Sequence, residues 1–159
     1  MQHSLPFRSA GFTLVELVVV IVIAGIVAAF AAPRFFDDRT FLERGYYEEL
    51  TAVLKYSQKL ALASGCPVRV EIDDAGYAAR QQAEQGGTCD TDDSSWGTDV
   101  ALADGDVLAG SMPMGVALSQ AATLTFDALG RTDLGSDLSI NIGPFELKVL
   151  ADSGFVQAP

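Results

Sequence analysis

The chain has little of the chemistry on which most enzymes depend. Its 159 residues include one histidine, His3, and two cysteines, Cys66 and Cys89. Because histidine is a common general base and a frequent zinc ligand, this inventory argues against histidine-dependent catalysis and zinc chemistry. Positive charge is scarce too, since ten Lys and Arg face 21 Asp and Glu, for a net charge of -11. Affinity for phosphates depends on Lys and Arg, so we expect no nucleic-acid partner, and likewise no metal, cofactor or catalytic residue.

The first thirty-odd residues contain a long apolar run. Leu17–Ala32 reads LVVVIVIAGIVAAFAA, without a charge, and extending it back to Phe12 adds a single charged residue, Glu16. The segment 12–32 has the length of about 20 apolar residues that a helix needs to cross the hydrocarbon core. We therefore predict a hydrophobic transmembrane helix over 12–32 and one compact domain over 33–159.

The residues before this run are arranged in the opposite order to those of a secretory signal. A secretory signal places its apolar core before the small residues at the cleavage site, whereas Ser9, Ala10 and Gly11 precede the run here. Cleavage after Gly11 would remove a polar leader, residues 1–11, and leave the hydrophobic helix in place. An uncleaved signal anchor is the alternative.

Glu16 lies about one helical turn inside the apolar run. A lone charge within a membrane helix costs roughly 2.5–3.5 kcal/mol on insertion scales, so such a residue usually has a partner. The free amino group that cleavage would create on Phe12 of a neighbouring copy would neutralise the carboxylate and fix the axial offset between packed helices. The position of Glu16 therefore predicts a role in assembly.

The motif Gly11-Phe12-Thr13-Leu14-Val15-Glu16, followed by an unbroken apolar helix, resembles the class III leader of type IV prepilins and of type II secretion pseudopilins. The resemblance implies that prepilin peptidase cuts after Gly11 and methylates Phe12. It also implies that Glu16 is the carboxylate required for assembly with other pilin or pseudopilin subunits. The precursor would cross the inner membrane once, with its C-terminal domain in the periplasm, and the mature chain would enter a filament at the cell surface.

Beyond residue 32 the pattern favours a second, amphipathic helix over about 40–64. Pro33 is expected to kink or interrupt the preceding helix. Apolar residues then return at helical spacing on one broad face, and Gly65 with Pro67 ends the helix. The face comprises Phe41, Leu42, Tyr46, Leu50, Val53, Leu54, Leu60 and Ala61, with Glu43, Glu48, Glu49, Lys55 and Lys59 largely off it.

From residue 67 to the end, alternating apolar and polar residues predict antiparallel strands. The first hairpin pairs Val68–Ile72 with Tyr77–Arg80 across the turn residues Asp73–Gly76, and the polar stretch Gln81–Asp99 is interpreted as a long loop. Further strands are expected at Leu124–Phe126, Leu138–Ile142 and Phe145–Leu150, with weaker ones at Val100–Leu102, Val107–Leu108 and Met114–Leu118. The predicted fold class is α+β, a long N-terminal helix packed on antiparallel β-sheet in the manner of a type IV pilin.

Three further segments extend the resemblance to the GspH/FimT branch of minor pilins and pseudopilins: Tyr56–Pro67, Val68–Ile72 and Phe126–Arg131. Ala32-Pro33-Arg34-Phe35 is similar to pilins of the mannose-sensitive haemagglutinin (MSHA) type, and the Gly65-Cys66 helix end to minor pilin C of that system. The resemblance implies a non-enzymatic minor pilin that helps initiate or cap a filament and supports adhesion. A GspH-like pseudopilin of a type II secretion system and a membrane-anchored ligand-binding module are the alternatives.

Cys66 and Cys89 would lie on the periplasmic side of the membrane, where disulfides persist. Closing a loop of about two dozen residues stabilises a protein by ~3 kcal/mol in the chain-entropy model. We predict a Cys66–Cys89 disulfide that holds the polar loop to the start of the first strand. The alternative is two unpaired thiols, one of them buried.

Acidic residues are concentrated in one stretch. From Glu71 to Asp137 there are 13 acids against two arginines. Asp90–Asp93 offers oxygen ligands to calcium, but the EF-hand pattern fails because Ser95 stands where that loop requires glycine. We therefore interpret the stretch as a solvated, repulsive surface. Trp96, the only tryptophan, is either an exposed contact or a core residue.

Overall fold

The chain forms two units, residues 1–38 and 39–159. The first contains helix α1 (Leu14–Ala31), and the second contains nearly all of helix α2 (Asp37–Ser64) and the strands of two sheets. The computed structural model describes residues 13–31, 37–82, 89 and 96–158.

Three predicted features lie outside the described residues: the cleavage site at Gly11, the methylation site at Phe12 and the helix interruption at Pro33.

Helix α1 is built almost entirely from apolar residues. Its 18 residues, LVELVVVIVIAGIVAAFA, include one charge, Glu16. The large apolar side chains from Leu14 to Val27 are all exposed, by between 44% and 79%. Among the residues described, none of the helices combines the length and the apolar character that crossing a membrane requires.

Helix α2 packs into the hydrophobic core through one apolar face. Leu50 and Leu54 on that face are completely buried. The helix ends where predicted, because Gly65 adopts a left-handed φ of 70° and its N–H donates to the Ala61 carbonyl at 2.9 Å. The buried members of the face are Tyr46, Tyr47, Leu50, Val53, Leu54, Ser57 and Ala61.

The prediction for this face is wrong at the start of α2. Phe41 and Leu42, expected on the buried face, are 78% and 41% exposed, whereas Glu43, expected off it, is 6% exposed. The Glu43 carboxylate has room because it lies against Gly143, where a Cβ would collide with it. Arg39 Nε donates to Glu43 Oε1 at 3.0 Å and so compensates the buried charge.

The first sheet is antiparallel and centres on the predicted hairpin. Strand β1 lies between β2 and β5, and β3 and β4 both pair with the outer edge of β2. In the hairpin turn, Asp73 Oδ1 accepts the N–H groups of Ala75 and Gly76 at 2.8 and 3.1 Å. The strands are β1 (Val68–Asp73), β2 (Gly76–Gln81), β3 (Thr98–Asp99), β4 (Ala109–Ser111) and β5 (Ala122–Phe126).

The second sheet has the order β6-β7-β8 and is also antiparallel. Its hairpin turns at Gly143, whose φ of 55° favours glycine. A bridge between Leu118 and Ile142 links the segment before β5 to β6. The strands are β6 (Leu138–Ile142), β7 (Phe145–Val149) and β8 (Val156–Gln157).

The weaker strand predictions are wrong. The segments 100–102, 107–108 and 114–118 contain single bridges rather than strands, Ala101 to Val107 and Leu118 to Ile142. Short strands form instead at β3, inside the predicted loop, and at β4. Strand β8 was not predicted either, because two residues are too few to produce an alternating pattern.

Both sheets and α2 contribute to one hydrophobic core, which confirms the predicted α+β class. Its largest fully buried side chains are Tyr46, Phe126, Leu50, Leu54, Ile72, Leu124, Ile140, Ile142, Leu147, Val68, Val70 and Val149.

Candidate functional site

The start of α1 is fixed by Thr13. The N–H of Glu16 donates to Thr13 Oγ1 at 3.2 Å, and the N–H of Leu17 donates to the Thr13 carbonyl at 3.1 Å. This is an N-cap, and Thr13-Leu14-Val15-Glu16 has the residue order of a capping box. The cap makes Leu14 the first helical residue and places Glu16 in the first turn, where the helix dipole favours a negative charge.

The side chain of Glu16 is exposed. Within residues 13–31, 37–82, 89 and 96–158, no hydrogen bond or ion pair occupies its carboxylate. The structure therefore leaves this carboxylate available to a partner, surrounded by the exposed apolar side chains of α1.

A disulfide joins Cys66 to Cys89, with their Cα atoms 5.2 Å apart. Cys66 is buried between the end of α2 and β1, and its N–H donates to Ser64 Oγ at 3.2 Å. The predicted pairing is confirmed, and the alternative of two unpaired thiols is wrong. The bond fixes residue 89 of the predicted loop to the start of the first sheet.

Trp96 lies against the same end of the first sheet. The Arg69 guanidinium on β1 covers the indole, with its central carbon 4.1 Å from the ring centroid. The indole is half-buried, so Trp96 is neither the free contact nor the core residue considered from the sequence. A cation–π contact of this kind is worth about 0.5–1 kcal/mol at an exposed site.

Two tyrosines and a glutamate form a polar group between α2 and the first sheet. Tyr77 Oη donates to Glu49 Oε1 at 2.5 Å, and burial, together with this bond, raises the pKa of Tyr77. Burial, with smaller contributions from Glu49 and Asp73, raises the pKa of Tyr46 to about 12. Both hydroxyls stay protonated at neutral pH. Only that of Tyr77 is hydrogen-bonded, because the buried Tyr46 hydroxyl has no partner among the described residues.

A cavity of about 440 Å³ opens between α2 and the second sheet, lined by Arg44, Tyr47, Glu48, Thr51, Phe145 and Ala158. Its charged residues pair with each other, since Arg44 Nε lies 2.9 Å from Glu48 Oε1. The cavity therefore offers a ligand no uncompensated charge.

The predicted acidic surface is described only in part. Asp90, Asp92 and Asp93 lie outside the described residues, whereas Asp99, Asp104 and Asp106 are exposed. In the part of the chain that the structure covers, no three His, Cys, Asp or Glu side chains are grouped as a metal site would require.

Residues 6–32 match the family described as the prokaryotic N-terminal methylation motif. The chain is also 63% identical over 62 residues to the type IV narrow pilus major component PilA5 of Thermus thermophilus. That match covers 38% of this chain and 53% of the relative, so the chain spans about half the length of the curated relative it matches.

A solved structure adds a likeness in fold. The crystal structure of the Pseudomonas aeruginosa (strain PAO1) type IV minor pilin FimU superposes with a TM-score of 0.51 at 15% identity, covering 78% of this chain and 92% of that one. The chain carries a type IV pilin leader and the type IV pilin fold. The matched family is one of structural pilin subunits and not of enzymes.

One clamp in the second unit could not be predicted from the sequence. Gln58 Nε2 donates to the Gly130 carbonyl at 2.9 Å and to the Ser153 carbonyl at 3.1 Å. It thereby joins α2 to the turn after β5 and to the turn before β8. A glutamine at the margin of an apolar face carries no pattern that predicts such distant partners, 72 and 95 residues further along the chain.

Proposed function

We propose that this pilin is a minor subunit that is processed by prepilin peptidase and helps initiate or cap a surface filament. The observation that carries the proposal is the combination of an apolar helix whose large described side chains are exposed with one unoccupied carboxylate, Glu16, in its first turn. Both features require partners outside the chain, because exposed apolar surface and a lone charge are each unfavourable when left alone.

In this proposal, residues 1–11 form the leader, and cleavage after Gly11 exposes the amino group of Phe12, which is then methylated. Before assembly, residues 12–32 anchor the precursor in the inner membrane and residues 33–159 lie in the periplasm. During assembly Glu16 pairs with the terminal amine of a neighbouring subunit, which fixes the offset between adjacent helices. The match of residues 6–32 to the methylation motif supports this order of events.

The exposed side of α2 supports packing between subunits beyond α1. Leu42, Gly45, Ala52, Tyr56 and Ala63 follow one another along it at spacings of three, seven, four and seven residues, and all of them are exposed. Small and apolar residues at this spacing allow helices to approach closely. The N-terminal helices of several copies would bundle in the filament, with the sheets outside.

A pilus is favoured over a secretion apparatus by two similarities. The relative matched over 62 residues is a component of a pilus, and the neighbour in fold is a minor pilin. The resemblance at Ala32–Phe35 favours a pilus of the MSHA type. A GspH-like pseudopilin remains the second candidate, since the same helix and carboxylate serve a secretion pseudopilus equally well.

The experiment that tests the proposal replaces Glu16 by Ala and by Gln in the full chain and measures the amount recovered in sheared surface filaments. Glu16→Gln keeps the size of the side chain and removes its charge, so we expect both variants to lose at least tenfold. Glu146→Ala, which removes an exposed carboxylate of the second unit, serves as the matched control and is expected to assemble normally.

Leader removal is checked in every variant by intact mass, which separates a failure of assembly from a failure of processing. Normal recovery of both Glu16 variants in filaments would contradict the role of Glu16 in assembly. Absence of the unchanged chain from filaments would contradict the proposal as a whole and favour the membrane-anchored ligand-binding module.

A further inference from the structure

A small cavity opens on the first sheet beside the disulfide, where Pro67 directly follows the bonded Cys66. Its volume is about 300 Å³, which is at the lower end of the range of about 300–1,000 Å³ for small-molecule sites. The cavity is therefore large enough for one compact ligand. The residues that line it come from several parts of the chain: Pro67, Gln82, Trp96, Thr125, Asp127, Thr132 and Asp133.

The sheet register explains why these residues meet. Thr125 on β5 lies opposite Arg69 on β1. Both side chains are on the face of the sheet away from the core, because their neighbours in each strand are fully buried and successive side chains alternate between the two faces. Since the Arg69 guanidinium covers the Trp96 indole, the indole stands on this outward face as a wall of the cavity.

The side chains around the cavity are held in place by the protein itself. Asp133 Oδ1 accepts the Thr125 N–H at 2.8 Å, and Thr132 Oγ1 donates to the Ala151 carbonyl at 2.7 Å. The cation–π contact holds Trp96. A pre-ordered site loses little conformational entropy when a ligand binds, so even a small ligand can be retained.

The charges that line or border the cavity balance each other. Asp127 pairs with Arg131, whose Nη2 lies 2.8 Å from Asp127 Oδ2. Asp133 adds one negative charge and Arg69 one positive charge, and within the residues that the structure describes neither forms an ion pair. Because no net charge attracts an ion of either sign, the cavity favours a neutral ligand.

Polar groups at the cavity keep capacity for further hydrogen bonds. Asp133 Oδ2 accepts no hydrogen bond from the described residues, and Arg69 Nε has no acceptor among them. Beside them, part of the Trp96 indole remains exposed. Hydrogen-bonding groups next to a flat apolar ring suit a sugar, because its hydroxyls donate and accept hydrogen bonds while its C–H face packs on the aromatic ring.

We propose that this cavity binds one neutral sugar unit of a glycan. The sugar packs its C–H face against Trp96, and its hydroxyls donate to the free oxygen of Asp133. The cavity volume accommodates a single ring, so the remainder of the glycan lies outside it. This binding goes beyond the assembly role and does not depend on it, because every residue that lines the cavity belongs to the second unit.

The experiment titrates the full chain, in a detergent without a sugar head group, with the methyl glycosides of glucose, galactose, mannose and N-acetylglucosamine. Trp96 is the only tryptophan, so its fluorescence reports on the cavity alone. We expect a saturable change with at least one glycoside, with half-saturation on the order of 1–10 mM for a ligand of this size. The amino and uronic acid derivatives of the same sugar, which add a positive or a negative charge, should bind at least fivefold more weakly.

Variants are compared by saturation-transfer NMR, which needs no tryptophan. Trp96→Ala and Asp133→Asn should each weaken binding at least fivefold, and asparagine keeps an acceptor for the Thr125 N–H. Asp104→Asn, at an exposed aspartate of another turn, is the matched control and should bind normally. The sugar site is overturned if no neutral glycoside saturates, if a charged derivative binds more tightly, or if both variants bind as the unchanged chain does. Such a failure leaves the assembly role standing, since no filament enters the measurement.

Discussion

The two helices of this protein share one backbone conformation and differ in what stabilises them. In α2 the side chains of Leu50 and Leu54 are fully buried within the chain's own core, whereas in α1 the large apolar side chains from Leu14 to Val27 are exposed. Full burial of such a side chain is worth about 1.5–3 kcal/mol. For α2 this gain contributes to folding of the second unit. For α1 none of the described residues provides it.

The largest expected effect on stability comes from comparing a Leu→Ala substitution in each helix, which removes the same number of atoms from both. Leu54→Ala should lower the free energy of unfolding of the second unit by roughly 2–5 kcal/mol, because it leaves a cavity in the core. Leu17→Ala, at a position 57% exposed, should change it by less than about 0.5 kcal/mol. Chemical denaturation of detergent-solubilised protein measures both, and equal effects would refute the distinction between the helices.

Removal of the disulfide is expected to have the next largest effect on stability, and this effect is again confined to the second unit. Its two cysteines are 23 residues apart, so Cys66→Ala with Cys89→Ala should cost ~3 kcal/mol by releasing that loop in the unfolded chain. Denaturation with and without reductant measures the loss. Reductant should not change the stability of the double variant. If reductant also leaves the stability of the wild-type protein unchanged, the disulfide contributes nothing to it.

A smaller effect is expected from the Gln58 clamp. Gln58→Ala removes two hydrogen bonds to carbonyls in different turns, and we expect a loss of about 1–3 kcal/mol on thermal or chemical unfolding. Gln120→Ala is the matched control, because Gln120 Nε2 makes a single exposed bond to the Ser139 carbonyl at 2.8 Å. If the two variants lose the same stability, Gln58 does not act as a clamp.

The smallest effect is a pH dependence of the second unit. Partial burial raises the pKa of Asp127, but the hydrogen bonds from the Arg131 N–H and side chain and the Leu129 N–H outweigh it, leaving the pKa below 3.8. The hydrogen bond from Lys148, with that from the Ala151 N–H, lowers the pKa of Asp137 below the same value. Both carboxylates therefore contribute stability above pH 3.8 that is lost as the pH falls through their lower folded values.

Unfolding measured across the acid range should show this decline. Asp127→Asn combined with Asp137→Asn should flatten it, whereas an unchanged slope would mean that these two carboxylates do not differ between the folded and unfolded states.

Features set by neighbouring residues could be predicted from the sequence. The first hairpin follows from alternation and the turn at Asp73–Gly76, and the end of α2 follows from Gly65. The leader motif is contiguous, so its residues could be recognised without a fold. The cysteine pair could be predicted because the sequence contains two cysteines and the expected periplasmic location favours a disulfide.

Features that depend on residues far apart in the sequence could not be predicted from it. Helical periodicity predicts that Phe41 and Glu43 lie on different sides of α2. It does not predict which side is buried in the first turns, because that depends on how the sheets pack there. Glu43 is buried because Gly143, a hundred residues away, has no side chain to exclude it. Gln58 and Arg69 likewise take their roles from partners that come near only in the folded chain.

The assembly role proposed for α1 depends most on the exposure of a new amino terminus at Phe12, which would pair with the carboxylate of Glu16 in another subunit. Intact mass and N-terminal sequencing of the chain recovered from cells with an active prepilin peptidase test this directly. The prediction is a mature protein that lacks residues 1–11 and begins with methylated Phe12. A chain that still carries Met1 in those cells would contradict the pairing, and with it the assembly role proposed for α1.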